Sequence, residues 1–523
     1  MALGAACALL LAVVFGAVAC ADRPDRRPDS QIARVMAKPP YDFAEWGLLE
    51  MDPLSGKTVH ARQVAQEFIP GSVTKLFTIS ATWKTLGPGH HFTTPVFAVG
   101  SIRGSTLHGN LVLQAQGDLT MGGRTTPNGK VSFRNFDHLD ANAIPHVQLT
   151  PENPLAGLDE IAHQVRASGL TRVDGDVVID DRLWKPDPQL TEEDPELDPI
   201  VINDNVIDVR INPKRPGEPA GIFWRPQTAA IRVESRVTTG RRSGHPNSFP
   251  YRWQLTQVAP DRLVASGAIP ANASAQLQTS TIGDPASFAR TALVEALNRA
   301  GVSVSAASTG PNPAAKLPAR NSYAGADRVA AYRSPPYSQY ARLILKVSHN
   351  LGAQVSLCLL AVHIGSNDCQ AGFGVERLFF KRIGISLDEV ALSDGRGGSP
   401  TDRTTPRAIA QLLRWWMSQR DFTTFRRSLP SLGVDGSLAR SERDSPARGK
   451  VFAKTGTAAG PDNLNNRLVM ASKALAGYLA GRHGRMRPFV IVVNGASFPL
   501  NADSLFAATD DLARIAALMQ RAG

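Results

Sequence analysis

The sequence predicts an α+β fold in which one domain is divided by a long β-rich insertion. Residues 93–330 carry many short β-like runs separated by turn residues, whereas both flanks alternate helical patterns with strands. With 523 residues, 43% of them hydrophobic, the chain is long enough for two or three cores. The two flanks, 43–92 and 331–523, are therefore predicted to form one domain of antiparallel sheet and helices.

The first 42 residues are predicted to contain an export signal and a linker. Residues 1–20 form an apolar run that ends in small residues, which is typical of a secretory signal peptide. Lipid attachment to Cys20, which would tether the chain to a membrane, is the alternative to ordinary cleavage. Residues 21–42 are predicted to be a polar linker. No later segment reaches membrane-spanning length, so we expect an exported protein that is soluble or lipid-anchored.

The first flank predicts a strand pair and then a helix. Residues 43–61 read as strand, turn and strand, with the turn at 52–56. Ser55-Gly56-Lys57-Thr58 resembles the end of a phosphate-binding loop, but it lacks the first glycine and continues as a strand, so we interpret it as a hairpin turn. A helix is predicted over 72–86, because Pro70 and Gly71 precede it and Gly87-Pro88 follows it.

The insertion is predicted to contain two subdomains, 93–180 with 303–330, and 181–302. Its predicted strands are 96–102, 111–114, 177–180, 206–211 and 253–257, and its predicted helices are 155–167 and 284–301. Residues 313–331 are expected to be a polar segment that leads out of it.

The second flank is predicted to be helical first and then mainly sheet. Its predicted helices are 339–347, 351–360, 374–383, 407–419, 422–428 and 502–520, and its predicted strands are 390–392, 451–457, 474–480 and 489–494.

Composition excludes some functions. The net charge is +11, but the basic residues are dispersed and lack the interleaved aromatic residues of a nucleic-acid groove, so no nucleic-acid partner is expected. No metal-ligand spacing such as CxxC or HExxH occurs, so no metal or cofactor is expected. Cys358 and Cys369 are a candidate disulfide in an exported chain; a buried free thiol at Cys358 is the alternative.

Ser72 and Lys75 are the first candidate catalytic pair. They are three residues apart in the first helical turn, so the lysine amine can reach the serine hydroxyl. A serine hydroxyl becomes a good nucleophile when an adjacent base takes its proton, and a lysine in an apolar pocket can be that base. Such a tetrapeptide is common by chance, so an ordinary surface pair remains the alternative until further motifs are considered.

Two further motifs follow in the second flank. Ser348-His349-Asn350 lies at a helix end, and Lys454-Thr455-Gly456-Thr457 lies on a strand. The order SxxK, SxN and KTG is the combination by which serine penicillin-recognising enzymes are identified. Three motifs in this order and in these structural contexts are hard to obtain by chance, and they favour catalysis.

On these motifs the sequence resembles the class C low-molecular-mass penicillin-binding proteins, the D-alanyl-D-alanine carboxypeptidase/endopeptidase family of penicillin-binding protein 4 type. The similarity extends to Gln116-Gly117-Asp118-Leu119-Thr120, 175–181, Ser334-Pro335-Pro336, Ser393-Asp394-Gly395 and 433–438, and it covers nearly the whole mature chain. The resemblance implies a split penicillin-binding/β-lactamase-like transpeptidase domain with an insertion that is itself a family feature. It also implies the periplasm or cell envelope of a bacterium.

The resemblance implies a reaction through an acyl-enzyme. Ser72 would attack the carbonyl between two D-alanines, and Lys75 would be its base. Ser348 would pass a proton to the leaving amine, with Lys454 supporting the proton network. Water would then release the acyl group. The implied partners are peptidoglycan peptides that end in D-Ala-D-Ala, and β-lactam antibiotics that acylate the same serine.

The resemblance also implies the substrate-binding groups. Asn350 would hold the substrate amide, and Thr455, Gly456 and Thr457 would form the binding strand, with the two threonines at the terminal carboxylate. The backbone N–H groups of Ser72 and Thr457 would form the oxyanion hole.

Three features depart from the family pattern. His349 replaces a residue that is usually Asp or Asn, and it is expected to be packed or exposed away from the substrate. Arg396 replaces a small polar residue and could alter side-chain selection. The turn containing residues 460–463 is longer than usual and could cover or widen the cleft. None of the three removes a catalytic group.

Two other functions remain as alternatives. One is a β-lactamase, for which Glu389 is a superficial candidate for the deacylating glutamate; it lacks the following asparagine and runs into a strand. The other is a non-hydrolytic penicillin-sensing or cell-wall-binding protein on the same scaffold.

Overall fold

The computed structural model describes residues 28–191, 196–320, 322–481 and 484–522. The predicted signal peptide, Cys20 and residues 21–27 lie outside this range. Within it, every helix is too short or too polar to cross a bilayer.

The helices and strands are numbered in chain order. The α-helices are α1 Pro28–Met36, α2 Lys75–Leu86, α3 Ala156–Ala167, α4 Pro188–Thr191, α5 Pro285–Arg299, α6 Tyr337–Val347, α7 Asn350–His363, α8 Gly372–Arg382, α9 Pro406–Met417, α10 Phe422–Ser428 and α11 Ala502–Ala522. The strands are β1 Glu45–Met51, β2 Thr58–Arg62, β3 His91–Arg103, β4 Thr106–Gln114, β5 Arg172–Val173, β6 Val177–Asp180, β7 Val206–Asn212, β8 Gly221–Arg225, β9 Arg232–Gly240, β10 Trp253–Ala259, β11 Arg262–Pro270, β12 Gln276–Thr281, β13 Ser303–Val304, β14 Asp327–Pro336, β15 Val390–Ala391, β16 Arg403–Thr404, β17 Val451–Asp462, β18 Arg467–Ala480, β19 Met486–Asn494 and β20 Ala496–Pro499.

The two flanks share one antiparallel sheet, in the order β17-β18-β19-β1-β2, with β20 paired to β18. Leu48 of β1 pairs with Ile491 of β19, so the chain before the insertion lies beside the chain after it. The side chains of β19 alternate between two cores. Val490 and Val492 pack with α2 and α6 to α9, whereas Ile491 and Val493 pack with α1 and α11. The flanks therefore form the divided α+β domain that the sequence predicts.

The polar linker predicted for residues 21–42 is wrong from Pro28 onward. Residues 28–36 form α1, and a 3₁₀ turn follows at Pro39–Tyr41. Ile32, Val35 and Tyr41 are buried in the core that α11 also lines, and the Tyr41 hydroxyl donates to Asp511 at 2.9 Å. Because α1 has so few apolar side chains, its sequence pattern is weak. The helix is stabilised mainly by packing against α11, about 470 residues later in the chain.

The described part of the insertion contains three sheets. One six-stranded sheet has the order β13-β5-β4-β3-β14 with β6 on β4, and two three-stranded sheets have the orders β10-β11-β9 and β12-β7-β8. The expected polar exit segment 313–331 is wrong in its last part, because β14 begins at Asp327 and pairs with β3. The boundary expected between 330 and 331 falls inside this strand, so we propose that the insertion runs from β3 through β14.

Helix α5 also changes the proposed subdomains. It lies within 181–302 in sequence, but its Arg290 donates two hydrogen bonds to Asp176 and one to the carbonyl of Val177, at the start of β6. The core that holds the apolar side chains of α5 is shared by both parts of the insertion, but the elements that α5 packs against are α3, β6 and β13. We therefore propose that α5 belongs with the subdomain of residues 93–180 and 303–330.

A disulfide joins Cys358 in α7 to Cys369 in the turn before α8. Both cysteines are buried in the core that also holds α2. The bond therefore fastens together two elements that pack behind the SxxK helix.

Replacing both cysteines by alanine is expected to lower the free energy of unfolding by about 3 kcal/mol, because the bond closes a short loop in the unfolded chain. Urea unfolding with and without reductant measures this effect. Reductant should destabilise the wild type and leave the double variant unchanged. Alkylation of Cys358 and Cys369 themselves in the unreduced wild type, located by peptide mass, would contradict the bond.

Candidate active site

The three motifs predicted from the sequence meet at one cleft of about 270 Å³. Ser72, Ser348, Asn350, Thr455 and Thr457 all line it. The first motif comes from before the insertion and the other two from after it. The central sheet therefore assembles the site from segments almost 400 residues apart.

Ser72 lies in a 3₁₀ turn, Gly71–Thr74, rather than in the predicted helix, and α2 begins at Lys75. Gly71 is required here, because its φ is +52° and a Cβ would approach the backbone nitrogen of Thr457 to 2.7 Å. The turn thus packs directly on β17. The backbone segments that carry the predicted oxyanion-hole N–H groups, those of Ser72 and Thr457, lie side by side.

Lys75 connects the first two motifs. Its side chain is fully buried, and its Nζ donates to Ser72 Oγ, to Asn350 Oδ1 and to the carbonyl of Arg396, each at 2.8 Å. The distance to Ser72 Oγ permits direct proton transfer. The geometry is therefore that of a nucleophile beside its base, with the base oriented by two further groups.

Arg396 contributes its backbone to this arrangement. The carboxylate of Asp394 accepts hydrogen bonds from the N–H groups of Arg396, Gly397, Gly398 and Ser399, which fixes the loop that presents the Arg396 carbonyl to Lys75. The Arg396 side chain is buried, and it is absent from the described lining of the cleft. The structure thus gives no support to the expected effect of this side chain on selection.

Ser348 and Lys454 form a second hydroxyl–amine pair. Ser348 ends α6 in the left-handed conformation, with φ +61°, and its Oγ accepts from Lys454 Nζ at 2.8 Å. Burial, together with the nearby charge of Lys75, holds the pKa of Lys454 well below its usual value. Lys454 is therefore suited to exchange a proton through Ser348.

His349 is packed, as one of the two expected alternatives had it. It caps α7, with Nδ1 accepting from the Gly352 N–H at 2.9 Å, and its Nε2 lies 3.0 Å from Asp204 Oδ1. Since Nδ1 is an acceptor, Nε2 carries the proton and donates to Asp204. The middle residue of SxN is thereby bonded to the insertion.

Asp204 belongs to a buried ion network in the insertion. Its members are Arg124, Asp137, His138, Asp204, Asp208 and Arg225. Although burial acts to lower it, Asp208 and Asp204 raise the pKa of His138 to about 9, so the histidine is a cation at neutral pH. Three cations thus face three carboxylates.

Two ionisable residues of the cleft were not predicted. Asp140 follows the network residue His138 and lines the cleft, where burial and then Asp137 raise the pKa of its carboxyl to about 7. Lys473 pairs with Thr457 across β17 and β18 and donates to Thr457 Oγ1 at 2.8 Å. Correct strand register from the KTG motif would have found Lys473. Asp140 carries no sequence signal of its own.

The long turn expected at residues 460–463 is instead mostly strand. β17 continues to Asp462 and pairs with β18 down to Arg467, so the two strands form a long hairpin beyond the cleft. No cluster of three or more metal-binding side chains occurs in the described part of the chain.

Comparison with known proteins agrees with these observations. The sequence profile of the D-Ala-D-Ala carboxypeptidase 3 (S13) family matches residues 29–517. A D-alanyl-D-alanine carboxypeptidase of Actinomadura sp. (strain R39) is 26% identical over 494 residues, 90% of this chain and 81% of that protein. A penicillin-sensitive carboxypeptidase A of Dictyostelium discoideum is 23% identical over 445 residues, 80% of this chain and 78% of that protein.

Among solved structures, penicillin binding protein 4 of Haemophilus influenzae superposes with a TM-score of 0.69 at 18% identity, covering 93% of this chain and 98% of that chain. This likeness concerns the fold, and it confirms the divided domain with its β-rich insertion. The resemblance inferred from the three motifs is confirmed as well. Since the profile spans nearly all of the described chain, the protein belongs to the D-Ala-D-Ala carboxypeptidase 3 (S13) family.

Proposed function

We propose that the protein is a serine D-alanyl-D-alanine carboxypeptidase that acts on peptidoglycan stem peptides, with D,D-endopeptidase activity as a second reaction of the same site. The observation that carries this proposal is the 2.8 Å contact between Lys75 Nζ and Ser72 Oγ in a cleft that also holds the Lys454–Ser348 pair. Family membership and the names of the two carboxypeptidase relatives support it.

In the proposed acylation, Lys75 passes one proton to Lys454 and, now neutral, takes the Ser72 proton as Oγ bonds to the carbonyl carbon of the penultimate D-alanine. The backbone N–H groups of Ser72 and Thr457 stabilise the resulting oxyanion. When the C–N bond breaks, Ser348 gives a proton to the leaving amine and is reprotonated by Lys454. D-alanine departs, and Ser72 carries the acyl group.

In the proposed deacylation, Lys75, which still holds the Ser72 proton, passes one proton to Lys454 and is neutral again. Water then attacks the ester carbonyl and gives a proton to Lys75, which passes it to Ser72 Oγ as the ester bond breaks. A crosslink peptide would form the same acyl-enzyme with a different leaving amine. A β-lactam would acylate Ser72 without losing its amine, because the ring tethers the leaving group.

Glu389 does not support the β-lactamase alternative. Its carboxylate accepts from Arg407 Nη2 at 2.8 Å and from Thr405 Oγ1 at 2.5 Å, and it is absent from the described lining of the cleft. A glutamate held in this way has no access to an ester on Ser72.

The proposed site of action is the bacterial cell envelope, for which the N-terminal signal is the sequence support.

The decisive experiment is intact-mass spectrometry of the protein with penicillin G, together with a D-alanine release assay on a peptide that ends in D-Ala-D-Ala. We expect a persistent adduct of one penicillin and release of D-alanine. Rapid penicillin turnover without adduct would favour a β-lactamase. Binding without adduct or release would favour the non-hydrolytic alternative.

A further inference from the structure

We propose that Lys473 is a specificity-determining residue of the cleft and that its ammonium binds the carboxylate of the substrate's leaving amino acid. This inference rests on the proposed function and deepens it. The KTG motif alone offers the hydroxyls of Thr455 and Thr457 to that carboxylate, and Lys473 adds a positive charge beside them.

The position of Lys473 places it at the carboxylate end of the cleft. It lies opposite Thr457 in the pairing of β17 with β18, and both side chains line the cleft with Ser72. Its Nζ donates to Thr457 Oγ1 at 2.8 Å and contacts the Leu505 carbonyl at 3.4 Å. An ammonium has three donors, so one remains for a ligand.

The contact with Thr457 also orients that hydroxyl. Because Thr457 Oγ1 accepts from Lys473, its own O–H is available to donate to another acceptor. The neighbouring Thr455 hydroxyl shares a 2.7 Å hydrogen bond with Ser437, which lines the cleft too. The wall around Lys473 is thus rich in donors, which suits an anion.

Among the described residues, Lys473 has no counter-ion in contact with its ammonium. Only 5% of the residue is exposed, and no described carboxylate lies within 4.0 Å of its Nζ. The buried Lys346, by contrast, pairs with Asp435 at 2.6 Å. Burial lowers the pKa of Lys473 to about 8, and the described carboxylate that acts to raise it, Asp510, does so from beyond contact distance.

A buried ammonium without a counter-ion is unfavourable, and it is stabilised when an anion enters beside it. Lys75 and Lys454 have partners that fit proton transfer, namely Ser72 and Ser348. Lys473 contacts neither hydroxyl, so a role in binding charge fits it better than a role in moving protons.

The test uses binding in the Ser72→Ala background, which does not depend on turnover. The ligands are N-acetyl-D-alanyl-D-alanine and its C-terminal amide, titrated by calorimetry. Adding Lys473→Met should weaken binding of the acid by about 10- to 100-fold and change binding of the amide less than about threefold. Lys473→Arg should recover part of the loss. Lys450→Met, at an exposed lysine just before β17, is the matched control.

If Lys473→Met weakens binding of the acid and of the amide equally, or leaves the affinity for the acid unchanged, the inference is overturned. It is also overturned if Ser72→Ala does not bind the acid at all. Failure of the proposed function looks different: the wild type would neither release D-alanine nor form a penicillin adduct, whatever the calorimetry shows. In an active wild type, the loss in Lys473→Met should lie mainly in KM rather than in kcat.

Discussion

Ser72→Ala is expected to abolish both the penicillin adduct and D-alanine release, because it removes the hydroxyl that lies 2.8 Å from Nζ of the proposed base, Lys75. The variant should remain folded, since Lys75 keeps its bonds to Asn350 Oδ1 and to the Arg396 carbonyl. Intact-mass spectrometry and the release assay measure the loss, and thermal unfolding checks the fold.

Ser348→Ala is the matched control, because it removes a cleft hydroxyl and leaves the nucleophile in place. Its acylation should be slower by a factor of about 10² to 10⁴, the usual contribution of a proton-transfer group, but an adduct should still accumulate. An adduct that persists in Ser72→Ala would show that another residue is the nucleophile.

The sequence predicts those parts of the fold that carry their own local pattern. The helix that follows Ser72 is bounded by Gly71 and Gly87, and the KTG strand begins with an apolar run, so both are recognisable without knowing their partners. The motif order then predicts which segments meet. That prediction assumes only that all three motifs belong to one site.

A proline explains one of the wrong predictions. Pro461 suggests a turn, yet it lies in a strand. This strand, β17, is at the edge of its sheet, where a missing N–H leaves no ladder bond unmade. Edge position is a property of the assembled sheet, so the sequence pattern does not reveal it.

The unpredicted site residues depend on contacts that are distant in sequence. Lys473 reaches the cleft only through its register with Thr457, and Asp140 only because the turn that holds it packs over the motifs. The role of His349 requires Asp204, 145 residues earlier. Each of these residues looks ordinary in its own segment, and only the assembled fold gives it a function.

Asp204→Ala is expected to lower the free energy of unfolding by about 3–5 kcal/mol, the usual cost of removing one partner from a buried ion pair. Its Oδ2 accepts from Arg124 Nε at 3.0 Å and from His138 Nε2 at 2.7 Å, so the variant leaves three buried cations with two carboxylates. Asp204→Asn tests charge alone, because asparagine tolerates the left-handed φ of +55°. Urea unfolding measures the loss, and Asp444→Asn on the surface should change stability by less than about 0.5 kcal/mol.

The stability that Asp204 contributes should also depend on pH. Although burial acts to raise it, Arg124 and His349 hold the pKa of Asp204 well below its usual value. A carboxyl with a lowered folded-state pKa contributes stability above its unfolded-state pKa and loses that contribution as the pH falls. The difference in unfolding free energy between wild type and Asp204→Asn should therefore be largest near neutral pH and shrink in acid.

Asp204→Asn should also slow acylation, because the hydrogen bond to Asp204 connects the insertion to His349, which lies between Ser348 and Asn350 in the sequence. Without it, the start of α7 loses one of the two contacts that fix the histidine, and the amide of Asn350 is less firmly placed beside Lys75. The rate of adduct formation with penicillin measures this effect. It is determined in buffer without urea, at a temperature where Asp204→Asn is fully folded. A variant that is less stable but acylated at the wild-type rate would show that the network supports the fold alone. A slower rate in the folded variant would show that the insertion also orders the catalytic motif.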